Sequence, residues 1–176
     1  MRHLLLLRHA KAVISSADGD FGRELAPRGV RQATRFGQWL AAQPFSPNLA
    51  IASPARRTRE TTNLVLAALS VPPQRIDERA LYNADPAEIL AIGRGAGPEA
   101  RSLMLVGHNP GIADLATLLA VNDATPAWRN LARNYPTCSC AILDFDIDDW
   151  SDLAPSRGKL AFFVTPKTLD ASEIDD

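Results

Sequence analysis

The sequence predicts an α/β fold built on a mostly parallel central sheet. Three observations carry that reading. Short apolar runs at Leu4–Leu7, Asn48–Ser53 and Ser102–Gly107 have the character of strands buried on both faces. Each run gives way, directly or after a loop, to a segment with helical periodicity. Each also leads into residues that can do chemistry: Arg8-His9, the Arg56-Arg57 pair and His108.

Length and composition set the frame. A chain of 176 residues that is 46% hydrophobic fits one globular domain with a substantial core, expected over 1–168. The acidic stretch 169–176 reads as a disordered tail. A net charge of −1 supplies no basic field for nucleic acid or an anionic membrane, so neither is expected as a partner. Arginine supplies 16 of the 19 basic side chains, most of them expected at the surface. No apolar stretch approaches the ~18 residues of a membrane span, and Leu4–Leu7 is too short for a signal segment. A cytoplasmic protein is expected. Cys138 and Cys140, two apart in an apolar segment, would share one face of a strand as small core residues. Without further ligands nearby they suggest no metal site.

The elements follow in order. After His9, Lys11–Glu24 is a loop broken by Asp18, Gly19, Asp20 and Gly22. Pro27 opens a helix whose buried face is Ala33, Phe36, Gly37 and Leu40, behind a poor cap at Ala26. Asn48–Ser53 is the second strand, with Ser53 as cap and Pro54 opening a helix to about Leu69. In that helix Thr58, Thr62, Val65 and Leu69 form the core column. Arg56 falls on the polar side with Glu60 and Asn63, whereas Arg57 flanks the core with Thr61 and Leu64. Periodicity therefore selects Arg57 as the inward arginine and leaves Arg56 and Arg59 to solvent.

A short strand is expected near Arg75–Asp77, then a helix capped by Asp85 with Pro86 in its first turn. Gly93–Pro98 is glycine-rich but follows a helix, the wrong context for a phosphate loop. The third strand ends at His108. Asn109 is read as a cap, and Gly111 to about Ala120 as a helix burying Ile112, Leu115, Ala116 and Leu119. Asp123–Pro136 is irregular. Thr137–Asp144 and Lys159–Thr165 read as strands in an antiparallel edge pair.

In a parallel sheet the ends of the three buried strands lie on one edge, where ligands bind. Arg8, His9, Arg57 and His108 can therefore converge on one pocket, and two of the strands feed helix N-termini that favour anions. Guanidinium groups beside imidazoles suit an anionic, electrophilic substrate such as a phosphoryl group.

Four stretches then carry a resemblance. Leu-Arg-His-Ala at 7–10, Arg-x-Leu-x-x-x-Gly-x-x-Gln-Ala at 23–33, Ser-Pro-x-x-Arg-Thr-x-x-Thr at 53–61 and Val-Gly-His-Asn-Pro at 106–110 resemble the histidine phosphatase, or phosphoglycerate mutase-like, superfamily. Tyr135-Pro136-Thr137 also fits, and the chain is most similar to small phosphohistidine phosphatases of the SixA type. The resemblance implies a three-layer α/β/α fold. It implies His9 as a nucleophile that forms a phosphohistidine intermediate, and Arg8, Arg57 and His108 as holders of the phosphoryl oxygens, with no metal or cofactor. The interval Ser70–Ser102 is too short for the helical lid of larger members, implying an open site that admits a phosphorylated protein. Members acting on esters carry a glutamate where this chain has Asn83, with Asp85 and Glu88 nearby. Asn83 favours an N–P substrate, whose leaving imidazole can be protonated on its own ring, over an alkoxide that needs an acid. A phosphomonoesterase for small molecules, with Asp85 or Glu88 as acid, and a silent phosphoprotein-binding module are the alternative readings.

Overall fold

The leucines of the first strand point alternately into two separate cores. Leu4 and Leu6 belong to one buried cluster, Leu5 and Leu7 to the other. Leu103 and Leu105 are likewise divided from Met104 and Val106, and Leu49 and Ile51 from Ala50 and Ala52. A strand covered on both faces must be apolar at successive positions, hence the uninterrupted runs.

The computed structural model describes residues 1–171. Its strands are β1 (Arg2–Arg8), β2 (Leu49–Ala52), β3 (Gln74–Asp77), β4 (Ser102–Gly107), β5 (Cys140–Phe145) and β6 (Lys159–Val164). They form one sheet in the order β3-β2-β4-β1-β5-β6. β1 to β4 run parallel; β5 lies antiparallel to both β1 and β6. The expected antiparallel pair is thus present, but of its two strands β5 is internal and β6 lies at an edge. β5 also starts at Cys140 rather than Thr137. Cys138 sits in a turn at φ 61°, its N–H shared between the carbonyls of Arg8 and His9. Both thiols still reach the same core cluster, without the strand alternation expected of them.

Helices α1 (Pro27–Ala41), α2 (Arg56–Leu66) and α6 (Pro166–Ala171) cover the Leu5/Leu7 face. Helices α3 (Pro86–Arg94), α4 (Gly111–Leu119) and α5 (Pro126–Arg133) cover the other, completing three layers. α1 buries Ala33, Phe36, Gly37 and Leu40, and Ala26 supplies no side-chain cap. α5 lies where an irregular region was expected. Its start signal is sound, because Thr125 Oγ1 accepts from Trp128 N and Pro126 follows the cap. Its apolar face, Trp128 and Leu131, spans only eight residues, too short a run for the period to stand out. α6 corrects the expected tail: Leu169 is buried against α1, and the helix continues through Ala171. Residues 172–176 of that tail lie outside the described residues. Among the described residues no helix is long and apolar enough to cross a membrane.

Two expected caps are not made, for a shared reason. α2 starts at Arg56, past Ser53, whose hydroxyl meets His108 Nε2 at 2.8 Å. α4 starts after Pro110, and Asn109 Nδ2 donates to the Tyr135 carbonyl at 3.1 Å. Both side chains serve the sheet edge instead of a helix end. Arg2 is among the arginines that do not lie at the surface. It is buried, and its guanidinium donates to the carbonyls of Pro98, Ala100 and Asp148.

Gly37 allows the closest approach of α1 to α2, for a Cβ there would lie 2.8 Å from the Val65 carbonyl oxygen. Gly37→Ala should therefore lower stability in urea unfolding by ~1–3 kcal/mol, the usual cost of overpacking. Gly97→Ala, whose added methyl meets nothing within 4 Å, should stay within ~0.5 kcal/mol of wild type.

Candidate active site

Backbone register builds the site. Arg8 lies opposite Gly107 across β1 and β4, so the next residues, His9 and His108, emerge side by side. The His9 N–H donates to the Gly107 carbonyl at 3.1 Å, and the ring centroids are 5.2 Å apart. At the end of β2 the Ser53 N–H donates to Val106, so the first turn of α2 brings Arg57 to the two rings. Arg57 Nε donates to His9 Nε2 at 3.3 Å, and its Nη2 lies 3.2 Å from His108 Nδ1. All three residues are buried, with 8%, 4% and 3% exposure for His9, Arg57 and His108. Arg8 is half-buried, its Nη1 anchored on the Tyr135 carbonyl at 2.7 Å. Its charge helps lower the pKa of both imidazoles.

Hydrogen bonding settles the form of His9. Nδ1 lies 2.8 Å from the Ala10 carbonyl, which can only accept, so Nδ1 carries the proton. Nε2 then holds the lone pair and faces Arg57. Burial first, then the charges of His108, Arg57 and Arg8, push the His9 pKa down to about 3. Burial, then Arg57 and Arg8, push His108 down to about 4. Thr61 Oγ1 fixes the surroundings: it accepts from the Ala10 N–H and donates to the Arg57 carbonyl. A neutral imidazole with an aimed lone pair is a nucleophile, and guanidinium donors beside it can hold a reacting oxyanion.

The sequence and the fold have counterparts among known proteins. A family model of the histidine phosphatase superfamily (branch 1) matches residues 4–80. The Mycobacterium tuberculosis protein Rv1276c is 33% identical over 164 residues, covering 92% of this chain and 100% of its own. A solved structure from Nakamurella multipartitia, a candidate phosphohistidine phosphatase SixA, is 32% identical with a TM-score of 0.81. That alignment covers 94% of this chain and 96% of the other. The chain belongs to the histidine phosphatase superfamily. A second SixA candidate, from Agrobacterium tumefaciens, is 29% identical with a TM-score of 0.79, over 94% of this chain and 98% of its own.

Within this histidine phosphatase the interval after α2 supplies no lid. β3 and α3 join the sheet and the α3–α4 layer, with Ile89 buried among Leu105, Ile112 and Leu115. Arg56 stays on the surface, paired with Glu24 and Glu60, and Arg59 is exposed. Asn83 is exposed at φ 53°, a left-handed conformation that asparagine tolerates well. Asp85 and Glu88 form a capping box: each carboxylate accepts the other residue's backbone N–H. That is a structural use for both, and no described hydrogen bond takes either to the imidazoles.

The sequence reading missed Asp20 and Tyr82. Asp20 had been read only as a loop breaker, yet its carboxylate pairs with Arg57, and the Tyr82 hydroxyl donates to it at 2.7 Å. Tyr82 also sets its ring edge-on to His108. Tyr82 hydrogen bonding first, with Arg23 and Arg57, holds the Asp20 carboxyl well below the usual carboxylate range. No periodicity marks a loop residue, so only the site itself exposes this role. Ser53, read as a helix cap, and Thr58, read as a core position, both lie close to His108 Nε2 instead.

A pH prediction follows from the imidazoles. Their folded pKa values lie below the ordinary ~6.5, so between about pH 6 and pH 4 the unfolded chain binds more protons than the folded one. Stability should begin to fall as the pH drops through the unfolded pKa near ~6.5, keep falling until the folded values are passed, and be flat in this respect only well above pH ~7. Urea unfolding at pH 7 and pH 4.5 should show a larger loss for wild type than for His9→Asn; equal losses would refute the buried neutral imidazole.

Proposed function

We propose that this protein is a metal-independent phosphatase that removes the phosphoryl group from phosphohistidine on proteins. The observation that carries the proposal is the His9 hydrogen bond to Ala10, which leaves Nε2 unprotonated and facing Arg57. In the first step Nε2 attacks phosphorus in line. The new N–P bond to His9 forms as the bond to the substrate imidazole breaks, and that imidazole leaves with a proton on its own ring. In the second step water cleaves phospho-His9 and releases phosphate. Arg57, Arg8 and His108 would hold the three outer oxygens, where charge must be stabilised.

The carboxylates around the site support the N–P substrate. Asp85 and Glu88 cap α3, and Asp20 is held ionised, so none offers a proton to an alkoxide. Phosphohistidine needs no such donor. The similarity to SixA candidates and the absence of a lid over the strand ends point the same way.

One preparation assayed on a phosphohistidine protein, a sugar phosphate and a phosphoserine peptide should favour the first; efficient sugar phosphate hydrolysis would promote the small-molecule reading. His9→Ala should abolish turnover, and acid-free quenching of wild type should trap phosphate on His9. Arg57→Ala should cost about a hundredfold in rate, the value of ~3 kcal/mol of lost charge stabilisation, while exposed Arg56→Ala should cost little.

A further inference from the structure

The Arg57 guanidinium has two edges that can each engage a pair of acceptors, and they meet different partners. The edge formed by Nε and Nη2 faces the imidazoles, 3.3 Å from His9 Nε2 and 3.2 Å from His108 Nδ1. The end formed by Nη1 and Nη2 faces the loop between β1 and α1. There Nη1 donates to the Asp20 backbone carbonyl at 2.6 Å, and Nη2 to its carboxylate Oδ2 at 3.0 Å. We propose that Asp20 is a positioning residue, gripping the outer edge of Arg57 so that its inner edge stays turned to the phosphoryl group. The proposal rests on the reading of Arg57 as a phosphoryl clamp.

Arginine is long and rich in rotamers, but its donors form one rigid plane, so fixing two of them aims the third. Asp20 is itself fixed. Tyr82 donates to Oδ2 at 2.7 Å, Arg23 Nη1 donates to Oδ1 at 2.8 Å, and Arg23 Nε is anchored on the Val13 carbonyl. The Tyr82 ring stands edge-on to both Phe21 and His108, and Arg79 lies over Phe21 at 4.5 Å. This chain of contacts runs from the protein surface to the imidazoles.

Its purpose is not chiefly stability. The Asp20 side chain is 48% exposed, and ion pairs so open to water contribute little to folding. Orientation is a different matter, because donors to a developing charge act best when fixed beforehand. Asp20 is also no stand-in for substrate, since its carboxylate lies on the edge turned away from His9.

The experiment compares wild type, D20A, D20N and Y82F. The readouts are turnover of p-nitrophenyl phosphate, calorimetric binding of tungstate as an oxyanion probe, and thermal melting. D20A removes the carboxylate acceptor, so kcat should fall about tenfold, part of the clamp's full worth, with KM changed less than about threefold. D20N keeps an oxygen for Nη2 and should stay within about threefold of wild type, and Y82F should lose about two- to threefold in kcat. Tungstate should bind D20N about fivefold more tightly than D20A, with melting points unchanged. A D20A enzyme as active as wild type would overturn the proposal, as would losses in D20A and D20N that simply track a lowered melting point. Wild type that binds tungstate but turns nothing over would sink the phosphatase reading and leave Asp20 to be judged by affinities. No turnover and no binding would sink both.

Discussion

The pairing of Arg8 with Gly107 across β1 and β4 is the constraint on which the rest depends. Side chains alternate along a strand, so a slip of one residue would exchange leucine for leucine within Leu4–Leu7 but would draw His3 or Arg8 into a core. The same slip would part His9 from His108. Register is therefore enforced by two cores at once, and the site inherits that precision. Tyr135 reinforces it from the other side: its hydroxyl donates to the Leu6 carbonyl and accepts from the Ala141 N–H, while its own carbonyl anchors Arg8. One buried side chain thus joins the β1–β5 seam to the phosphoryl site proposed above.

Burying Arg57 beside two imidazoles sets up an electrostatic conflict, which the protein resolves by keeping both rings neutral. Desolvation and like charge act together on His9, so the nucleophile form needs no external base. Asp20 supplies the opposing charge at the periphery, where it cannot quench the His9 lone pair. The hydroxyls of Ser53, Thr58 and Thr61 close the remaining hydrogen bonds around the first turns of α2.

Most of the sheet and the core quartet of the site were legible because they obey short periodicities. Continuous apolar runs marked β1, β2 and β4, and helical columns separated Arg57 from Arg56 in adjacent positions. What escaped is short or irregular. α5 shows its apolar face over only eight residues, β5 begins late because Cys138 turns back onto the His9 carbonyl, and Asp20 sits on a loop. The failed caps are more instructive still. Ser53 and Asn109 look like helix starts because their side chains suit that task, and tertiary contacts at the strand ends turn both side chains elsewhere, the Ser53 hydroxyl to His108 and the Asn109 amide nitrogen to Tyr135. Local chemistry could propose their role, but only the assembled edge could reassign it.

The cysteines give the site a chemical temperament of its own. Cys138 lies directly against the His9 backbone, yet burial pushes its thiol up to about 12 and raises that of Cys140 as well. Oxidants attack thiolates that are formed and reachable, and neither sulfur meets either condition. With nitrogen rather than sulfur as the proposed attacking atom, dephosphorylation by this protein is insulated from peroxide stress that silences thiolate-based phosphatases.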